Sequence, residues 1–128
     1  MVKHACLTAC VLLLGVLAVA QAFTQPEMKS INDEAFQDKQ RPPVQFEHDM
    51  HNAKAELYDC SQCHHLYENG RLIEDAMSVD RECSDCHSPS RGSSSDVELM
   101  DAYHRQCIGC HSKQKKGPLA CGECHVKE

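Results

Sequence analysis

The sequence predicts a small fold, mostly irregular, with a few short α-helices and one small β-hairpin. Its interior is built on bound groups instead of its own side chains. Three observations predict this. A five-residue string recurs four times: Cys60-Ser61-Gln62-Cys63-His64, Cys83-Ser84-Asp85-Cys86-His87, Cys107-Ile108-Gly109-Cys110-His111 and Cys121-Gly122-Glu123-Cys124-His125. C-x-x-C-H is the attachment site of a c-type haem: two thiols add to two vinyl groups of one porphyrin, and the adjacent His lies under the iron. Second, beyond residue 22 all eight Cys fall in these motifs, and eight His are present, two per motif. Third, the 128 residues hold no Trp, three Phe and three Tyr. Small domains bury little surface and need a staple. Four haems (haem c, with iron) would supply the missing core, and the chain without them is expected to be largely unfolded.

The histidines sharpen the expectation. His64, His87, His111 and His125 are the proximal set, which leaves His48, His51, His65 and His104. Four irons with two axial imidazoles each need eight His. Zinc, iron–sulfur clusters or disulfides could also use four CxxC pairs. None requires a His after each second Cys, nor four further His. Met is another axial ligand, and Met28, Met50, Met77 and Met100 match by count, but four His would then have no role. Adjacent His64 and His65 cannot straddle one iron, so His65 must reach a haem other than that at Cys60 and Cys63. His48 and His51, three apart on a helix, share a face and should serve two haems. His104, on the same face as His111, should also cross to another haem. The haems must therefore cluster.

In chain order, residues 1–22 read as a secretory signal. Lys3 supplies the positive start, Val11 to Ala20 an apolar run, and the small-x-small rule places cleavage after Ala22, with Ala20 the next candidate. The run is shorter than the ~20 residues that span a bilayer. Residues 23–128 form one domain. Residues 23–41 read as an exposed polar arm with a short helical turn around Asn32 to Phe36. Arg41-Pro42-Pro43 fixes an extended segment, and Val44 to Glu47 alternates as a short strand does. A helix is expected from His48 to Leu57. Asn69-Gly70 between apolar pairs predicts a hairpin, with Tyr67, Leu72 and Ile73 packing on porphyrin. Glu74 to Glu82 reads as an acidic connector and Ser88 to Ser95 as a loop. Ser95-Asp96-Val97-Glu98 is a capping box, so a helix should begin at Asp96 and run to about Cys110. Lys113 to Pro118 forms a basic turn.

Charge is uneven. Phe23 to Asp101 carries seven basic and seventeen acidic side chains, net −10, whereas Ala102 to Glu128 is net +3, from Arg105, Lys113, Lys115, Lys116 and Lys127 against two acids. These cations either offset haem propionates or form a docking patch for an acidic partner. An acidic domain gives no nucleic-acid footprint.

Several stretches resemble the tetrahaem cytochrome c3 family of sulfate-reducing bacteria. Phe46-Glu47-His48-Asp49-Met50-His51 is similar to its F-x-H-x-x-H segment, and Cys60 to His65 to its first motif with a doubled His. Asp101 to Cys107 and Lys116 to Lys127 resemble its acidic, type II branch most. Many type I members have four-residue spacers at two sites, and this chain has two residues in all four. The resemblance implies a c3-like fold and the pairings His48 with His64, His65 with His87, His51 with His111, and His104 with His125. It implies a periplasmic, low-potential carrier in sulfate respiration, relaying electrons from hydrogenase through a type I cytochrome c3 to a membrane-bound redox complex. Direct reduction by periplasmic hydrogenase, or tight binding as a haem subunit of a membrane complex, are the other partner readings. No enzyme activity and no small-molecule substrate are expected: two imidazoles per iron leave no open site, and no altered motif such as CxxCK marks one.

Overall fold

The computed structural model describes residues 27–90 and 96–127. The expected signal, its cleavage site, Ser95 of the capping box and the second half of the Ser88 to Ser95 loop lie outside them.

Strands β1 (Ser30–Ile31) and β2 (Val44–Gln45) pair antiparallel, Ser30 with Gln45 and Ile31 with Val44. Phe46 N–H donates to the Lys29 carbonyl at 2.9 Å and His48 N–H to that of Met28 at 3.0 Å, which extends the clip. The segment expected as an exposed arm is thus tied down in part. Its turn follows from Asp33, whose Oδ1 accepts from Ala35 N–H at 2.9 Å, the Asx arrangement that favours turns. Asp33 Oδ2 accepts from the Tyr103 hydroxyl at 2.9 Å, and Phe36 lies 6.5 Å from the Tyr103 ring. Polar composition hid this docking, because two-residue strands leave no periodic pattern.

Helix α1 (His48–Ala55) begins where expected and stops two residues early. Glu56 turns left-handed, φ 54°, and Leu57 N–H returns to the Asn52 carbonyl at 3.0 Å, a C-terminal closure that needs one left-handed residue.

Strands β3 (His65–Glu68) and β4 (Arg71–Met77) form the expected hairpin, with Tyr67 opposite Leu72 and Glu68 opposite Arg71. Asn69 (φ 50°) and Gly70 (φ 74°) make its tip, both left-handed as a two-residue type I′ turn requires. The pairing overrides the expected connector: Glu74 to Met77 belong to β4. Ser78 N–H then donates to the His64 carbonyl at 2.9 Å, and its hydroxyl to that of His65 at 3.0 Å.

Helix α2 (Leu99–Gln114) starts three residues after the expected Asp96 and ends four after Cys110. Glu98 is extended at its N-terminus, with no side-chain cap bond. Two contacts fix the start instead. Leu99 N–H donates to the Ser88 carbonyl at 2.8 Å, and its side chain is the one fully buried apolar side chain among the described residues. Lys115 (φ 55°) and Gly117 (φ 87°) turn the chain out of α2. The single-turn helix α3 (Cys121–Cys124) closes the fold. No helix among the described residues is long and apolar enough to cross a membrane.

Candidate haem-binding site

Each CxxCH motif coils into one turn. Short 3-10 turns span Cys60–Gln62 and Cys83–Asp85. His64 N–H returns to the Cys60 carbonyl at 2.8 Å, His87 to Cys83 at 2.8 Å and His125 to Cys121 at 2.9 Å. The third motif lies within α2, where the helix supplies the same spacing. One turn thus draws two thiols and an imidazole together at each motif. None of the eight motif cysteines is in a disulfide.

The structure brings the eight histidines together as four pairs. Ring centres are 6.3 Å apart for His48 and His64, 6.1 Å for His51 and His111, 6.1 Å for His65 and His87, and 6.4 Å for His104 and His125. Adjacent His64 and His65 go to different partners, as do His48 and His51.

The donor set fits haem. An imidazole nitrogen binds a metal at ~2 Å and its ring centre lies ~1 Å behind, so two rings on one metal have centres ~6 Å apart. Among the described residues no three His, Cys, Asp or Glu converge as a bare metal ion would require. Donors that come in twos suit an iron whose other four positions a macrocycle fills.

Several rings are held from behind through Nδ1. His87 donates to the Val97 carbonyl at 3.0 Å, His111 to Pro118 at 2.8 Å and His125 to Pro42 at 2.8 Å. A carbonyl only accepts, so the proton sits on Nδ1 and Nε2 carries a lone pair, the form in which an imidazole can bind a metal. His48 Nδ1 meets the Asp49 carboxylate at 2.8 Å, and its Nε2 lies 3.3 Å from the Asn52 amide. Phe46 packs 4.8 Å from His51. His65 is pushed toward its neutral form by burial first, then by His87 and His64, and a ligand imidazole must be neutral.

Four of the other motif thiols lie close enough to Cys107 on α2 to act on it. Burial raises the Cys107 thiol to about 11, and Cys63, Cys124, Cys83 and Cys110 add to the rise. Burial also raises Cys63, Cys83 and Cys124. Tyr103, which donates to Asp33, works against the rise at Cys83. Sequence reasoning missed this hub, and it missed the carbonyls of Pro42, Val97 and Pro118, because a backbone acceptor has no residue signature. Gly117 does more than turn the chain after α2. A Cβ there would fall 2.6 Å from His111 Cδ2, so the residue also gives the His111 ring its space.

Residues 24–125 match the class III cytochrome c family. A cytochrome c3 of Desulfovibrio desulfuricans is 33% identical over 92 residues, covering 68% of this chain and 81% of the relative. One of Maridesulfovibrio salexigens is 34% identical over 98 residues, covering 69% and 82%. A solved cytochrome c7 of Geobacter sulfurreducens aligns over 78% of this chain and 100% of its own at 24% identity, TM-score 0.38. From the match across residues 24–125 and these cytochrome c3 relatives, the chain belongs to the class III cytochrome c family of haem-binding electron-transfer proteins.

Proposed function

We propose that the chain is an exported, periplasmic, low-potential electron carrier with four covalently bound haems, each held by two histidines. The observation that carries this reading is the set of four imidazole pairs at 6.1–6.4 Å, each containing the His of one motif. Cys60 and Cys63 would hold one haem, with His64 and His48 as the imidazoles for its iron. Cys83 and Cys86 would hold the second with His87 and His65, Cys107 and Cys110 the third with His111 and His51, Cys121 and Cys124 the fourth with His125 and His104. Each haem supplies an iron that takes up and gives back one electron. The chain's part would be to hold the groups close together and to offer each iron two imidazoles, which would leave no site for a substrate. Imidazole pairs without Met keep potentials low. Residues 1–22 act as a signal removed after Ala22.

The acidic composition from Phe23 to Asp101, with two-residue spacers in all four motifs, supports the type II branch. Its donor is a basic type I cytochrome c3 charged by hydrogenase, and its acceptor a membrane-bound redox complex. The basic cluster of Lys113, Lys115 and Lys116 favours a second reading, direct reduction by periplasmic hydrogenase. Stopped-flow reduction by hydrogen-charged hydrogenase separates them. Slow reduction alone that becomes fast with a catalytic amount of the basic cytochrome supports the relay. Fast reduction alone that slows with salt supports direct docking. Four haems per chain by mass and pyridine haemochrome, all low-spin, test the cofactor reading itself; three would overturn it.

A further inference from the structure

Gln106 lies one turn before Cys110 on α2, and sequence analysis assigned it nothing. Its side-chain amide nitrogen donates to the Gln62 carbonyl and approaches the Cys63 sulfur at 3.9 Å. It thus joins the first motif to the helix that carries the third motif, across 44 residues of chain. Cys63 and Cys110 face one cleft of about 280 Å³, which Gln106 also lines with Leu57, Arg105 and Gly109. A side chain that bonds both the backbone and the sulfur of one attachment motif limits how that motif can shift.

We propose that Gln106 is a positioning residue for electron transfer: its amide fixes the first attachment site against α2, beside the third, and donates to the sulfur of Cys63. This rests on the reading that Cys60 and Cys63 hold a haem. The physical basis is a sulfur's response to a donor. A hydrogen bond draws electron density from the sulfur and from the ring joined to it, which favours the reduced iron, and hydrogen bonding around a redox group is an established lever on its potential. A second consequence is steric. Holding one side of the cleft keeps two redox groups at a fixed spacing, which supported rotamers on rigid elements provide and loops do not.

Tyr103 is the other polar side chain of α2 near a motif thiol, Cys83, but it also holds Asp33. Its removal would loosen the segment before β2, so Gln106 is the cleaner test.

The experiment uses the mature haem-loaded protein, Gln106→Leu and Gln106→Glu, with Gln114→Leu as a control that alters the same cleft two turns further on. Haem content by mass and pyridine haemochrome comes first. Fewer than four haems in the unsubstituted protein would sink the haem reading itself. With four present, the reduction of each haem is followed by NMR-monitored redox titration. The expected result for Gln106→Leu is that the haem at Cys60 and Cys63 moves to lower potential while the other three stay in place. Gln106→Glu, which accepts instead of donating and adds a negative charge, should move that haem further in the same direction. Gln114→Leu should move none. If Gln106→Leu fails to mature with four haems, Gln106→Met, of similar length and without the donor, decides in its place by the same expected shift. Four unchanged potentials, or a uniform shift of all four, would overturn the assignment.

Discussion

The His111 imidazole donates from Nδ1 to the Pro118 carbonyl at 2.8 Å, while Gly117 lies against the same ring. A Cβ on Gly117 would fall 2.6 Å from Cδ2 and 2.8 Å from Nε2, at a backbone φ of +87°. Gly117→Ala should therefore turn the ring out of line. On the four-haem proposal, the haem at Cys107 and Cys110 should show a high-spin fraction by electron paramagnetic resonance. A spectrum identical to that of the unsubstituted protein would contradict this account of the turn.

Gly70 offers a contrast with the same substitution. Its φ is +74°, but a Cβ there meets nothing within 4 Å. Gly70→Ala should carry only the left-handed backbone cost, about 1–2 kcal/mol. A denaturant titration should register that loss while every haem stays low-spin.

Tyr103 fixes Asp33 across 70 residues of chain. Tyr103→Phe removes the hydroxyl and keeps the ring against Phe36, so about 1 kcal/mol should be lost. The local effect should exceed the global one. Limited proteolysis within residues 27–41 is expected to quicken several-fold.

The Glu123 carboxylate accepts from Leu119 N–H at 3.0 Å and Ala120 N–H at 2.8 Å. Those two amides hold its pKa below the ordinary glutamate value. A depressed carboxylate pKa means the folded state favours the charged form. Its contribution is complete above the ordinary value of ~4.3 and is lost as pH falls through the lowered one. Unfolding curves of Glu123→Gln and the unsubstituted protein should thus converge in acid and separate toward neutrality.

Leu99 has no exposed surface. Leu99→Ala should cost about 2–5 kcal/mol, the range for emptying a buried leucine site. Chemical denaturation with haem absorbance as probe measures it. A smaller loss would indicate that neighbouring groups close over the gap.

Much of the site was legible because its chemistry is written in fixed spacing. Asn69-Gly70 placed the hairpin, since few dipeptides accept two left-handed residues. His48 marked the start of α1 correctly. The ring pairs agree with what adjacency alone excluded for His64 and His65. Legibility failed where backbone pairing or burial decided the outcome. Asp96 looked like a helix start by side-chain rules, but the entry is set at Leu99 by its burial and its bond to Ser88. Glu74 to Met77 looked like a connector, but pairing with β3 makes it strand. Ser30 and Ile31 join β2 through main-chain bonds that no side-chain pattern announces.

The crossed ring pairs also bear on the order in which the molecule can be completed. His48 and His64 are 16 residues apart, His104 and His125 21, His65 and His87 22, but His51 and His111 60. The entropy of closing a loop grows with the logarithm of its length, so the longest closure costs ~1 kcal/mol more than the shortest. For a chain that emerges N-terminus first, three closures are local and can each follow the arrival of their own motif. The fourth reaches back across the first two motifs to α1. A nascent chain that stops before residue 111 would leave His51 waiting, with hydrogen bonds such as Tyr103 to Asp33 and Gln106 to Gln62 as what joins α2 to the earlier segments. The arrival of His111 adds the one ring pair that reaches from the third motif back to α1.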